Sequence, residues 1–413
     1  MLPLVFETLV AIDPAGGLRP ALATSWERDP RGTPWRLRVR PNVRLHDGSV
    51  LEPWHVASAL RSVQRAWNVA LDGDVIVIDP LQARVDLPWE LAEPRYAIGV
   101  RSSGGEWSGT GPFRIDRLEP RHVTLRAHDT YWNSRPFVDA VEIDMGVPLA
   151  DQLTNLELRR ADIVSVRPTD VRRLSQRGLR AAASRPLDLF TVIFEPHRTQ
   201  AADDQIRHAI ATRIDRSVLC SALLQRQAEP ATAVLPAWLS GYALPTAGRR
   251  AARIPLAASP QTQRTLTLRI DPSDPLAQAI ADRIVVDARE AGIAIIVQAP
   301  AGLAPRPDAR LVRVRLSATT PDRALAAAMT ALGARVTALA TPETAPAAGA
   351  PIETVYRIER ALVERDVIVP VVHVSDLYGL SDRVERWNGP VIQPTGAWDL
   401  ANVWLRRDKS DRR

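Results

Sequence analysis

The chain has 413 residues, of which 46% are hydrophobic and 24% charged, a composition typical of a globular protein with two or three domains. No run approaches the roughly 20 apolar residues that a membrane-spanning helix needs. The formal net charge is +6, and Lys409 is the only lysine among the 53 basic residues. Because the arginines are spread along the chain among 47 acidic residues, we attribute the charge to general arginine usage and predict no nucleic-acid partner.

The cysteine content and the first residues limit two further features. Cys220 is the single cysteine, which excludes an internal disulfide and a cysteine zinc site, and its apolar helical surroundings predict a buried side chain. Residues 1–7 contain neither a basic region nor a long apolar region. The chain as written is therefore expected to carry no secretion signal.

The first clear pattern is a strand, a turn and a helix. Residues 35–39 alternate apolar and polar side chains, as a half-buried strand does, and residues 43–45 alternate again. His46-Asp47-Gly48 indicates a turn, and Pro53 suits the first turn of a helix. Apolar residues then recur at helical spacing and predict one buried stripe: Val56, Leu60, Val63 and Trp67.

Further along the chain, residues 203–224 read as a helical region with Ile206, Ile210, Ile214 and Val218 on one face. A further helix is predicted to begin at Thr320-Pro321 and to end near Gly333. A strand at 266–270 is followed by a helix capped by Ser273 or Asp274, and then by an apolar strand at 293–297. Strand, helix and strand in this order predict a βαβ unit with a parallel pair.

Residues that would support catalysis or metal binding are missing from the sequence. There is no phosphate-binding loop, no dinucleotide fingerprint, no nucleophile elbow and no HExxH pattern, and the seven histidines are scattered. We predict no catalytic residues, no metal site and no cofactor, and hence not an enzyme. Eleven of the 21 aromatic residues are tryptophan, and we expect two or three of them to face a ligand.

Five blocks of sequence, in order, resemble the extracytoplasmic solute-binding proteins of family 5, which serve dipeptide, oligopeptide and nickel ABC importers. The second block, residues 37–48, is similar to the segment of the family that ends in His-Asp-Gly. The fourth, residues 206–216, is similar to its helix ending in Ile-Asp-Arg. The remaining blocks are residues 5–10 with 18–27; 109–113 with 131–132 and 141–143; and 379–381 with 398–400 and 403–405.

The resemblance implies an α/β, two-lobed periplasmic-binding-protein fold of type II with an extra subdomain in lobe I and a hinge between the lobes. Lobe I would comprise residues 1–20, 145–235 and 380–413, with its subdomain at 21–144, and lobe II would comprise residues 236–379. A small-molecule or peptide ligand would bind in the interlobe cleft and be delivered to the ABC permease. The protein would be a periplasmic or membrane-associated extracytoplasmic monomer.

Four residues are the candidate ligand contacts: Trp107, Glu195, Trp238 and Arg315. Trp107 precedes a Gly-Thr-Gly turn that lies near the interlobe region in the family. Glu195 follows an apolar run that reads as a buried strand ended by Pro196, and it stands where the family often has asparagine. The alternative for Glu195 is a solvated carboxylate paired with a nearby arginine.

This sequence also departs from the family pattern. Family members begin with a signal sequence and an additional strand and loop, and they carry an acidic residue where this chain has His55. The segment at 300–351 is shortened in this chain, so the resemblance leaves the ligand open. The alternative function is a cytoplasmic ligand-sensing domain with the same fold, which the lack of a secretion signal favours.

Overall fold

The computed structural model describes residues 2–13, 17–30, 32, 34–80, 86–102, 104–195, 201–244, 265–298, 306–316, 320–387 and 398–406. They form two compact units. Unit 1 comprises residues 1–166, 174–182 and 378–413, and unit 2 comprises residues 167–173 and 183–377. Pro196 lies outside the described residues. Within those ranges, no helix is long and apolar enough to cross a membrane.

The described α-helices, in chain order, are α1 (Leu2–Val5), α2 (Pro53–Val63), α3 (Leu87–Leu91), α4 (Leu149–Glu157), α5 (Val171–Gln176), α6 (Ala201–Arg213), α7 (Arg216–Val218), α8 (Ala237–Ser240), α9 (Pro275–Glu290), α10 (Pro321–Leu332), α11 (Ala334–Ala340) and α12 (Ile352–Glu364). Short 3-10 helices span Pro94–Tyr96 and Pro168–Asp170, and one π-helical turn spans Leu219–Leu223.

The described strands are β1 (Val10–Ile12), β2 (Leu18–Pro20), β3 (Ala23–Arg28), β4 (Trp35–Val39), β5 (Asn68–Asp72), β6 (Val75–Asp79), β7 (Val100–Arg101), β8 (Trp107–Ser108), β9 (Phe113–Glu119), β10 (His122–Ala127), β11 (Ala140–Asp144), β12 (Ile163–Ser165), β13 (Arg180–Phe194), β14 (Ala228–Pro230), β15 (Thr265–Arg269), β16 (Ala294–Gln298), β17 (Ala309–Arg315), β18 (Ile368–Leu380), β19 (Val384–Glu385) and β20 (Trp404–Leu405).

Unit 1 contains two larger antiparallel sheets, one in the order β3-β4-β6-β5 and one in the order β11-β10-β9. The predicted strand at 35–39 is confirmed as β4. The predicted strand at 43–45 is wrong, because this segment makes only one bridge, between Arg44 and Val50. Three residues with alternating side chains are too few to define a strand when no neighbouring strand extends beside them.

Helix α2 begins at Pro53, as predicted, and buries Val56 and Leu60. It ends at Val63, whose side chain is half-exposed, so the predicted stripe is one turn too long. Trp67 is nevertheless buried beyond the end of the helix, where its ring stacks on Tyr96 at 4.9 Å. An aromatic residue can thus continue the apolar face after the helix has ended.

Unit 2 contains the predicted βαβ unit. Strands β15 and β16 are parallel, and α9 connects them. The Asp274 side chain accepts hydrogen bonds from the backbone N–H groups of Leu276 and Ala277, which confirms it as the cap. Strand β17 runs parallel to β15 and antiparallel to β13, which in turn neighbours β18. The buried faces of these strands and of α6 and α9 form one core.

The predicted helical region at 203–224 is helical, but it is interrupted. Helix α6 ends at Arg213, and the Asp215 side chain caps α7 through the backbone N–H of Val218 at 2.9 Å. Arg216 explains the interruption, since its guanidinium donates to the carbonyls of Ala231 at 2.9 Å and Pro370 at 2.8 and 3.0 Å. It also donates to two carbonyls at the end of the preceding helix, Ala211 and Ile214, at 3.1 and 3.3 Å. The buried Cys220 lies in the π-helical turn that follows.

We expect Arg216→Lys to lower the free energy of unfolding by about 2–3 kcal/mol, because one ammonium group cannot satisfy carbonyls on several sides. Chemical denaturation would measure the change. Arg213→Lys is the matched control, since Arg213 is exposed at the end of α6, and it should stay within about 0.5 kcal/mol of the parent. Equal effects of the two substitutions would contradict this role for Arg216.

Candidate ligand-binding site

A buried carboxylate at Glu7 brings distant parts of unit 1 together. Glu7 Oε1 accepts a hydrogen bond from the Tyr131 hydroxyl at 2.7 Å. Its Oε2 accepts from the Thr110 hydroxyl and from the indole N–H of Trp132, both at 2.9 Å. Burial raises the pKa of the Glu7 carboxyl, and the three hydrogen bonds oppose that rise. The carboxyl group therefore cross-links the first block of sequence to the third.

The Gly109-Thr110-Gly111 turn presses directly against the chain near its start. The Gly111 N–H donates to the Val5 carbonyl at 3.0 Å. A Cβ atom on Gly109 would lie 2.1 Å from the Val5 carbonyl oxygen, and one on Gly111 would lie 2.7 Å from it. Both positions require glycine because there is no room for a side chain. The close approach places the Thr110 hydroxyl against Glu7.

His46, from the His-Asp-Gly turn, holds the same glycine turn from another side. Its Nδ1 accepts from the Gly109 N–H at 3.3 Å, and its Nε2 lies 3.0 Å from the Gly111 carbonyl. This pair of contacts requires a neutral ring protonated at Nε2. Burial is the main reason that the pKa of His46 falls to about 4, so the ring stays neutral near pH 7. His128 contacts the same Gly111 carbonyl at 3.1 Å, and its ring meets that of His46 edge-on at 4.9 Å.

A small cavity of about 90 Å³ opens beside Glu7 within unit 1. Its wall combines the Arg19 guanidinium, the Glu7 and Asp399 carboxylates and the aromatic rings of Tyr131 and Trp132. The other lining residues are Pro3, Leu4, Phe6, Thr8, Ala11, Ile12, Ala21, Ala92, Pro94, Ala97, Pro112 and Trp398. A cavity with both signs of charge and aromatic walls suits one end of a small polar solute.

Metal binding has no comparable support in the structure. Across the described residues of both units, no group of three or more His, Cys, Asp or Glu side chains is arranged to hold a metal ion. The cavity carboxylates are instead engaged by hydrogen-bond donors, with Asp399 accepting from the Ala401 N–H at 3.1 Å.

Residues 17–336 match the family profile described as "Bacterial extracellular solute-binding proteins, family 5 Middle". The chain belongs to this family. Among its relatives, the nickel-binding protein NikA of Staphylococcus aureus is 22% identical over an alignment of 242 residues, and the match covers 55% of this chain and 49% of NikA. The peptide transport periplasmic protein SapA of Salmonella typhimurium is 22% identical over an alignment of 281 residues, and the match covers 56% of this chain and 51% of SapA. This family 5 chain thus spans about half the length of the relatives it matches.

A solved structure of similar fold is that of an ABC transporter substrate-binding protein from Sinorhizobium meliloti. It superposes on this family 5 protein with a TM-score of 0.78 and 20% identity, over 98% of this chain and 95% of that one. The likeness confirms the predicted α/β, two-lobed periplasmic-binding-protein fold.

Of the four predicted contacts of this family 5 protein, only Trp107 lies in unit 1. Its ring is 57% exposed and stacks with the Arg101 guanidinium at 4.7 Å. A Cβ atom on Gly99 would lie 3.2 Å from the Trp107 ring and 3.4 Å from Phe6, so both rings flank Gly99. Because Phe6 lines the cavity, Trp107 stands close to the cavity wall. Its contact with a ligand stays a prediction.

Arg315 and Trp238 lie in unit 2 toward one edge of the sheet. Arg315, at the end of β17, donates to Asp376 at 2.6 and 2.9 Å and to Asp188 at 3.2 Å. The Trp238 indole donates to the Pro186 carbonyl at 3.0 Å, only two residues before Asp188. Strand β17 ends at this edge, whereas β15, which runs parallel to it, ends earlier, beside Arg310. The carboxyl ends of parallel strands are where α/β sheets commonly bind ligands. Contact of Arg315 or of Trp238 with a ligand stays a prediction. Arg315 is already paired with two carboxylates.

Glu195 lies at the opposite edge. It follows β13, which runs antiparallel to β17, so the end of β13 is about seven residues from the pairing of Asp188 with Arg315, or roughly 24 Å. Its carboxylate pairs with Arg310, which is the arrangement named above as the alternative. The prediction for Glu195 assumed that its strand ends at the edge of the sheet where ligands bind. Because β13 is antiparallel to β17, it ends at the opposite edge. Contact of Glu195 with a ligand stays a prediction that this geometry does not favour.

The sequence analysis missed Glu7, Arg19, Tyr131 and Asp399 as cavity residues. Glu7, Tyr131 and Asp399 stand in the blocks that resemble the family, and Arg19 stands in the second part of the first block. The available signal was the convergence of separate blocks on polar residues. Spacing alone cannot reveal it, because Glu7 and Trp132 are 125 residues apart.

We expect Glu7→Met to lower the free energy of unfolding by about 3 kcal/mol or more, because three buried donors lose their acceptor. Glu7→Gln should cost about 1 kcal/mol, since its amide oxygen still accepts and the hydroxyls can reorient. Denaturant unfolding would measure both. Glu106→Met, at an exposed glutamate of the same unit, is the control. Little loss in Glu7→Met would show that the carboxylate does not organise unit 1.

Proposed function

We propose that the protein is the solute-binding component of an ABC importer and captures a small, peptide-like solute. The observation that carries this proposal is the unit 1 cavity in a chain of family 5. Arg19 can bind a carboxylate group of a solute, and Asp399 can bind an ammonium group. Arg19 is suited to this role because its side chain makes no hydrogen bond among the described residues, whereas Glu7 is fully engaged.

The size of the cavity supports one end of the solute as its occupant. At about 90 Å³ it is far smaller than the roughly 300–1,000 Å³ of a site for a whole drug-sized ligand. A charged terminus with a small side chain fits this volume, and the rest of the solute would need contacts elsewhere. We propose Trp107, Trp238 and Arg315 as such contacts and keep Glu195 as a weaker candidate.

Arg315 imposes a condition on ligand chemistry in unit 2. Two carboxylates already hold it, and those hydrogen bonds help to raise the pKa of its guanidinium. A ligand carboxylate could bind Arg315 only by competing with Asp376, which is the more exposed of the two partners. We therefore propose that Arg315 recognises ligands with a strong bidentate anion.

The proposed partners and compartment follow from the family. The loaded protein would deliver its solute to a membrane permease, in the periplasm or at the extracytoplasmic face of the membrane, and would catalyse no reaction itself. NikA and SapA, named for nickel binding and peptide transport, define the two ligand classes to compare.

Isothermal titration with a panel of dipeptides and with nickel(II)–histidine tests this function. We expect a dipeptide to bind, and Arg19→Gln to weaken it by about 1.5–3 kcal/mol, the range for a hydrogen bond to a charged group. Arg65→Gln, at an exposed arginine outside the cavity, should bind as the parent does. Binding of nickel(II)–histidine alone would overturn the peptide-like class, and equal affinity of both variants would remove Arg19 from the site.

Trp107→Ala should weaken the same dipeptide by about 1–3 kcal/mol if the exposed ring anchors the solute. Thermal stability should change little, because more than half of the side chain is exposed. Trp404→Ala, at another part-exposed tryptophan of unit 1, is the control in the same titration. An unchanged affinity in Trp107→Ala would show that this ring does not contact the dipeptide.

A further inference from the structure

Two buried ionisable side chains in unit 2 hold one short segment from both sides. Glu359, on α12, accepts from the Leu235 N–H through Oε1 at 2.5 Å, and its Oε2 lies 2.5 Å from the Tyr242 hydroxyl oxygen. His373, on β18, places Nε2 3.0 Å from the Val234 carbonyl. Glu359 is fully buried and His373 is 3% exposed. The segment that they hold leads into α8, which carries Trp238.

Among the residues that the structure describes, neither Glu359 nor His373 forms a hydrogen bond or ion pair with a charged side chain. The helices packed against α12 are α10 and α11, and the buried residues of α12 also share a core with residues of β13, β17 and β18. On α10 the buried Asp322 is engaged by the Gly349 N–H at 2.8 Å, and the buried face of α11 consists of Val336, Thr337 and Ala340. The Tyr242 ring meets Tyr356 edge-on at 5.0 Å.

The ionisable groups near His373 are also exposed or already paired. Opposite it on β14 stands the exposed Glu229, and on β13, a second neighbour of β18, Asp188 is held by Arg313 and Arg315. The third neighbour, β12, has no ionisable side chain. The remaining ionisable groups of α12 are exposed on its outer side: Glu353, Arg357, Arg360 and Glu364. Burial without a counter-charge therefore disfavours the charged form of both Glu359 and His373.

The hydrogen bonds fit two neutral groups. A neutral Glu359 can accept from the Leu235 N–H and donate its own proton to the Tyr242 hydroxyl oxygen. A neutral His373 protonated at Nε2 donates to the Val234 carbonyl. Burial raises the pKa of Glu359 to about 7 and lowers the pKa of His373 to about 4. Both directions agree with the geometry.

We propose that Glu359 and His373 form a compensating pair, in which an acid and a base are both neutral in the folded protein from mildly acidic to nearly neutral pH. The segment 234–242, and with it the position of Trp238, is then insensitive to pH over that range. This inference goes beyond the solute-binding function and does not depend on it, because its test needs no ligand.

The signs of the two effects are opposite. Opening the segment lets Glu359 release a proton between its unfolded pKa near 4.5 and its folded pKa near 7, so its stabilising contribution is lost as the pH rises through that interval. Opening lets His373 bind a proton between pH 6.5 and 4, so its contribution is lost as the pH falls. Between about pH 4.5 and 6.5 the two proton changes cancel.

Hydrogen–deuterium exchange of peptides covering 228–244 tests the pair in the full-length protein. Each variant is compared with the parent at the same pH, which cancels the intrinsic pH dependence of exchange and the contribution of other histidines. In Glu359→Gln, exchange relative to the parent should rise about tenfold for each pH unit lowered from 6.5 to 4.5. In His373→Gln it should rise about tenfold for each unit raised over the same range.

In the double variant Glu359→Gln/His373→Gln, the ratio of its exchange rate to that of the parent should be constant from pH 4.5 to 6.5. Glu353→Gln, at an exposed glutamate of the same helix, is the matched control and should also give a constant ratio. A constant ratio in Glu359→Gln would show that Glu359 is ionised throughout and would overturn the proposal. So would a slope of the same sign in both single variants.

Infrared spectroscopy keeps the proposal falsifiable if His373→Gln does not fold. The difference spectrum between the parent and Glu359→Gln at pH 5.5 should contain the carbonyl band of one protonated carboxyl group. A carboxylate band in its place would overturn the proposal without any measurement on His373.

Discussion

The buried Glu7 carboxyl group is the interaction on which the organisation of unit 1 depends. It accepts hydrogen bonds from three side chains that lie more than 100 residues away in the chain. Each donor belongs to a block that resembles the family, and the glycine turn at 109–111 fits only because it has no side chain to clash with the Val5 carbonyl. The cavity is the space that this cross-link leaves beside it.

Unit 2 contains a network of ion pairs around a buried carboxylate. A chain of alternating charges runs from Asp274 through Arg313, Asp188 and Arg315 to Asp376, with each guanidinium shared between two carboxylates. Asp188 is almost fully buried, which is tolerable because both arginines contact it. The arginines that look most available for a ligand in the sequence are therefore those most committed within the fold.

Much of the local structure could be predicted from the sequence. The βαβ unit was read from alternation, a capping aspartate and a stop glycine, all of which act within about 30 residues. The interruption of the helix at 214–215 could not be read in this way, because its cause is a set of carbonyls that Arg216 reaches across the fold. Apolar periodicity continued through the break and concealed it.

The candidate site was harder to predict for the same reason. Trp107 was proposed because it adjoins a recognisable turn, and its contact with a ligand stays a prediction, whereas Arg19 and Asp399 were not proposed because they have no distinctive neighbours in the chain. The interpretation of Glu195 depended on strand direction, which the apolar run at 189–194 does not encode. Parallel and antiparallel strands bury the same residue types, and only the partner strand decides which edge a terminal side chain reaches.

The separation of Glu7 from its donors also has a consequence for synthesis on the ribosome. Trp132 is made 125 residues after Glu7, and at about 5–20 residues per second this takes roughly 6–25 s. Until Thr110 is made, 103 residues after Glu7, the segment around Glu7, with its apolar neighbours Leu4, Val5 and Phe6, has none of the three partners that later bury its carboxylate. The segment around Glu7 is thus fixed long after its own synthesis, and during that delay it is exposed to chaperones and to any machinery that handles nascent chains.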